Sequence, residues 1–208
     1  MKKLALTGIA TFALALGAFA QGSIDLANTS SSFNYGVAAS SAGNYYTGTY
    51  GIEVWELNAA AVPSGINLAA APGSGAAAYA AMMGDGFKLE ATFANQTMST
   101  EGTINIGSVN LPDVSPAGST VVLALAAWNT SAASWSAMLN SANANTLAGV
   151  VAFLNPTAYA ASGPPAIPSA ITGWNNASDL VMTSVPEPGT FALAGLGAAA
   201  LLIFRRRK

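Results

Sequence analysis

The 208-residue chain has no cysteine and no histidine, and only 8 % of its residues are charged. Without cysteine an exported fold has no disulfides and must be held by packing and hydrogen bonds. Without either residue, Ser-His-Asp and Cys-His catalysis fall away. So do zinc sites of the usual ligand types and the side chain best suited to proton transfer near neutral pH. Basic residues are scarce in the body. Lys2, Lys3, Arg205, Arg206, Arg207 and Lys208 lie at the two ends, which leaves Lys88 alone between them. Facing it are the carboxylates Asp25, Glu53, Glu56, Asp85, Glu90, Glu101, Asp113 and Asp179. Residues 21–185 therefore carry a net charge of −7, although the whole chain carries −2. Such a body cannot neutralise a phosphate backbone, which argues against nucleic acid as a partner. It is equally ill suited to adhere to anionic lipid.

Long apolar runs are confined to the ends. Lys2 and Lys3 precede an apolar core from Leu4 to Gly17, and Ala18-Phe19-Ala20 supplies a small-x-small cleavage site. This is the pattern of a secretory signal peptide over residues 1–20, cleaved between Ala20 and Gln21. A retained N-terminal anchor is the alternative, disfavoured by the short apolar stretch. At the other end, Pro186-Glu187-Pro188 is followed by an uncharged run to Phe204 and then by Arg205 to Lys208. The prolines bar a helix through the tripeptide, though Pro188 can start one. From Thr190 to Phe204 a helix would span roughly 22 Å at about 1.5 Å per residue. That is short for a bilayer core of about 30 Å, a gap that thinning and snorkelling arginines could close. The basic cluster would remain on the cytoplasmic side.

Together, the tripeptide, the apolar run Phe191–Phe204 and the basic end resemble the PEP-CTERM sorting signal of Gram-negative bacteria. The resemblance covers residues 185–208 and implies an address rather than an activity. It implies export, transient anchoring in the inner membrane and processing near Pro186-Glu187-Pro188 by an exosortase-type membrane peptidase. It also implies a final place in the cell envelope, on the surface or outside the cell, in bacteria that make exopolysaccharide. An ordinary single-pass anchor behind a proline-rich linker is the plainer alternative.

The intervening body, residues 21–184, is the size of one domain and long enough to bury a core. Its pattern is mainly period two. Strands are expected at Ser23–Leu26, Gly51–Leu57, Phe87–Phe93, Thr103–Val109, Val150–Leu154 and Leu180–Ser184. Thr120–Trp128, apolar on both faces, reads as a central strand buried on both sides. Ala76–Met83 and Ser131–Leu139, the latter capped by Ser131 or Ser134, read as short helices. Residues 155–179, with Asn-Pro, Gly-Pro-Pro and Ile-Pro, read as an extended surface connection. The expected architecture is all-β: an antiparallel, jelly-roll-like sandwich with one or two short helices and a C-terminal transmembrane helix.

With histidine and cysteine gone, an enzyme would have to use paired carboxylates. Glu53 and Glu56 fall on opposite faces of one strand and could not flank a glycosidic bond unaided. Solvated surface carboxylates are the expected role for both, and for Glu90. Gly84-Asp85-Gly86 lacks the further oxygen ligands of a calcium loop. Calcium between loops at Asp113 or Asp179 is left open. Trp55 and Trp128 are expected in the core. Trp135, Trp174 and the tyrosines Tyr35, Tyr45, Tyr46 and Tyr50 are candidates for a sugar-stacking surface. No catalytic, cofactor or metal residue is assigned. The reading is a non-enzymatic envelope or matrix protein in contact with exopolysaccharide, with a carbohydrate-binding module as the alternative.

Overall fold

The computed structural model describes residues 22–28, 36–98, 100–113, 118–158, 167–174 and 179–186. Within them the chain forms two sheets and two helices. The strands are β1 (Gly22–Ala27), β2 (Val37–Ala39), β3 (Thr49–Leu57), β4 (Lys88–Thr97), β5 (Asn105–Leu111), β6 (Thr120–Trp128), β7 (Leu147–Pro156), β8 (Ser169–Ala170) and β9 (Leu180–Ser184). Helix α1 (Ser74–Gly84) lies between β3 and β4, and α2 (Trp135–Asn140) between β6 and β7. A three-stranded sheet, β5-β1-β8, faces a six-stranded sheet, β2-β9-β7-β6-β3-β4.

The centre is β6. Its odd-numbered residues Val121, Leu123 and Leu125 join Ile24, Leu26, Ile52, Val54, Val109 and Leu111 in the core between the sheets. Its even-numbered residues Val122, Ala124, Ala126 and Trp128 meet Trp55, Met82, Trp135 and Met138 in a second core on the opposite face. A strand with apolar side chains on both pleats has to be covered twice. The small sheet covers one side, and the helices with residues 58–73 cover the other. The β-rich sandwich expected from the sequence is therefore present, with an added helical layer.

Two glycines make room for close packing on that side, one beneath α1 and one beneath the Trp128 ring. A Cβ on Gly75, in the first turn of α1, would lie 2.2 Å from the carbonyl oxygen of Ala148. A Cβ on Gly51 would lie 2.2 Å from the indole of Trp128. In α2, Ser134 is the N-cap, and its hydroxyl accepts from the amide of Ala137.

The strand order departs from the antiparallel jelly roll that was expected. β2 runs parallel to β9, and β8 runs parallel to β1. Period two reveals which residues face a core but not which distant strand is the partner, and both parallel pairs join segments far apart in sequence. β2 and β8 themselves, three and two residues long, are too short for alternation to show. The stretch read as a surface connection also contributes to the core, because Asn155, Ile171 and Trp174 are buried and Trp174 stacks on Phe153. No described helix is long and apolar enough to cross a membrane. The expected transmembrane helix falls outside the described residues.

Candidate functional site

Three places concentrate chemistry: a bonded carboxylate, a cluster of unbonded ones, and the exit of the C-terminal segment. Glu53, on the helix-side face of β3, is 2 % exposed. Its Oε1 accepts from the backbone amide of Trp135 at 2.9 Å. Its Oε2 accepts from Trp55 Nε1 at 3.1 Å and from the Tyr79 hydroxyl at 3.3 Å. Tyr79 lies flat on Trp135, with ring centroids 4.4 Å apart, and meets Trp55 edge-on. The carboxylate ties β3, α1 and α2 together. Burial and the neighbouring negative charge of Glu53 push the Tyr79 phenol far above its usual range.

Glu56 points to the other face, as its odd spacing from Glu53 requires. It too is 2 % exposed, and its Oε1 is buried without a hydrogen-bond partner. Beside it are Glu90, both of whose carboxylate oxygens are likewise buried and unbonded, and Asp113, paired with Lys88 at 3.4 Å. Glu90 gets there through a bulge: Val54 pairs with Ala91 and Trp55 with Leu89, so Glu90 is the extra residue. The bulge also breaks the alternation expected over Phe87–Phe93. Phe87 packs into the helix-side core, Leu89 is exposed, and Ala91 and Phe93 face the inter-sheet core. Burial, then the charges of Asp113 and Glu56, push the Glu90 carboxyl up to about 7. Burial and Asp113 raise that of Glu56, against the pull of Lys88. The expectation of solvated surface carboxylates is corrected for Glu53 and Glu56, because both strand faces at β3 are covered.

The remaining candidates are accounted for in place. Asp179 accepts from the amides of Gly36 and Gly43 at 2.9 and 2.7 Å, and Asp85 caps the end of α1. Among the described residues no group of three acidic side chains is placed to hold a metal ion. All four tryptophans are buried, so Trp135 and Trp174 supply packing rather than an exposed stacking platform. Tyr50 is buried and Tyr45 and Tyr46 are half-buried, while Tyr35 lies outside the described residues.

The segment that carries the sorting motif leaves the body from β9. The amide of Val185 donates to the carbonyl of Thr146, and its side chain is 5 % exposed in the helix-side core. Burying such a side chain contributes about 1.5 kcal/mol or more. The amide of Gly73 donates to the carbonyl of Ser184, and the Pro186 ring lies within van der Waals reach of a Cβ at Gly73. Sequence reasoning missed this docking, since Val185 stands alone beside the prolines without a pattern. Of the proposed processing residues, Pro186 is thus set against the body. Glu187, Pro188, Arg205, Arg206, Arg207 and Lys208 lie outside the described residues, as do Ala20 and Gln21.

Residues 184–208 match the family model of the PEP-CTERM protein-sorting motif. No curated protein and no solved structure matches the chain. The chain therefore carries a PEP-CTERM sorting motif, which marks an exported protein processed by exosortase, a membrane protein.

Proposed function

We propose that this is a non-enzymatic protein of the cell envelope or extracellular matrix, delivered by its sorting tail and working in contact with exopolysaccharide. The observation that carries the reading is the sorting motif at residues 184–208. The inventory of the body supports the non-enzymatic part. Histidine and cysteine are absent, Glu53 is fully engaged in hydrogen bonds, and the carboxylate oxygens of Glu90 are buried. A net charge of −7 on residues 21–185 keeps a weakly charged surface soluble once the tail is removed. The carbohydrate-binding alternative gains no support from the tryptophans, which are committed to the cores.

The test is the intact mass of the protein from its native host, fractionated into membrane, envelope and medium. A species beginning at Gln21 and ending near residue 187, outside the inner membrane, is the expected result. A species still ending at Lys208 and confined to the membrane would mean a permanent anchor. Polysaccharide turnover abolished by Glu90→Gln would overturn the non-enzymatic reading.

A further inference from the structure

The motif joins the body without a spacer. Val185 is locked in the core and Pro186 rests against Gly73. Only residues 187–190 separate it from the apolar run that begins at Phe191, a reach of at most about 18 Å at ~3.6 Å per residue. When the apolar run is in the membrane, the surface around the exit must therefore be held close to the membrane.

The surface beside the exit is free of charge and carries exposed apolar side chains. Between Glu56 and Asp85 there is no charged residue. This stretch supplies the exposed Leu68–Pro72 and helix α1, whose outward positions are Ala77, Ala80 and Met83. Leu68 is 45 % and Met83 49 % exposed. An outward helix face normally carries charge, and this one carries none. Ala70, Ala71 and Pro72 share a shallow depression with Thr183 and Ser184, which puts the uncharged stretch beside the exit. Asp179, which lines the neighbouring depression with Leu68, is turned to the amides of Gly36 and Gly43.

We propose that the uncharged face formed by Leu68–Pro72 and α1 is the surface that rests on the lipid headgroups while the tail is inserted. The contact is enforced by the short tether and needs no affinity of its own. A body of net charge −7 is repelled by an anionic surface, and the face that the tether holds against the headgroups adds no charge to that repulsion. The proposal rests on the sorting tail being inserted in the membrane.

The absence of cysteine makes a clean test available. Leu68→Cys and Leu89→Cys place one environment-sensitive fluorophore at each of two similarly exposed leucines, 45 % and 47 %. Leu89 is on β4, four strands from β9 in the sheet, or roughly 19 Å. The full chain would be reconstituted in vesicles of phosphatidylethanolamine and phosphatidylglycerol, with an aqueous collisional quencher added. The expected result is a blue-shifted label at position 68, quenched at least threefold less than the label at 89. That difference should vanish when a flexible 15-residue linker is inserted after Pro186. Equal quenching at both positions in vesicle-bound protein would overturn the proposal. Protection at 68 that appears only when the peptidase is co-reconstituted would overturn it in favour of a protein partner. Protection that persists in detergent-free body lacking residues 187–208 would do so in favour of a second copy. Failure of the full chain to float with the vesicles would be the distinct result that removes the inserted tail itself.

Discussion

Glu53 and Glu56 stand three residues apart on the same strand and are equally buried, yet their surroundings are opposite. On the helix side, Glu53 has three donors: an indole N–H, a phenol O–H and a backbone amide at the start of α2. On the other side, Glu56 and Glu90 have buried oxygens that complete no hydrogen bond, with only the backbone of Asp113 near Glu90 as a weak donor, and they share their space with the Asp113 carboxylate. The first arrangement replaces the hydrogen bonds lost from water with three from the protein. The second leaves like charges to compete, and the system relieves the strain by holding a proton. A carboxylate can therefore be a structural rivet or a liability according to its donors alone, with burial held constant.

The strongest way to break this comparison is to remove the rivet. Glu53→Leu should leave the Trp135 amide, the Trp55 indole N–H and the Tyr79 hydroxyl without their acceptor in a closed core. The expected loss is about 3–5 kcal/mol, since each stranded donor costs about 1–3 kcal/mol. In a thermal melt of the tail-free protein, Tm should fall by roughly 10 °C or more. A fall of only a degree or two would mean that the donors find water, and that Glu53 is not what joins the helices to the sheet.

A second and smaller effect concerns the other side. The Glu90 carboxyl is raised from 4.5 to about 7, so between those values the folded state binds more protons than the unfolded chain. Stability must then decline as pH rises through this window and level off above it. The contribution present below about pH 4.5 is lost by about pH 8, roughly 1–2 kcal/mol after allowance for solvent screening at a strand edge. Glu90→Gln should flatten the decline and raise Tm at pH 8 by a few degrees. A wild-type melt that is level between pH 5 and 8 would contradict the assignment.

The sequence revealed faces far better than environments. β6 was legible to the residue because nine consecutive β-prone or small apolar positions admit no polar pleat, and α2 was legible because Ser134 is a good cap. Opposite faces for Glu53 and Glu56 followed from spacing alone. The burial of Glu53 did not, because its covers come from Tyr79 and Trp135, 26 and 82 residues along the chain. The bulge that brings Glu90 to Glu56 was invisible as well, since an inserted residue changes the alternation only once the partner strand is known. The sorting motif was legible because its signal is local: a tripeptide, an apolar run and a basic cluster in one stretch. The docking of Val185 was not, because one buried valine makes no pattern.

The smallest expected effect sharpens the comparison most. Lys88 is the body's only lysine, and its contact with Asp113 is exposed at both ends, 62 % and 46 %. As a surface ion pair it should be worth well under 1 kcal/mol, so Lys88→Gln should change Tm at pH 5 very little. Its other role is electrostatic. Its positive charge lowers the carboxyls of both Glu56 and Glu90, so its removal should move the pH-dependent decline in stability to higher pH. Melts of Lys88→Gln from pH 5 to 9 would show a displaced midpoint with nearly the same low-pH plateau. If the plateau fell and the midpoint stayed, Lys88 would be acting through its salt bridge, and the unbonded cluster would not be sensing the charge beside it.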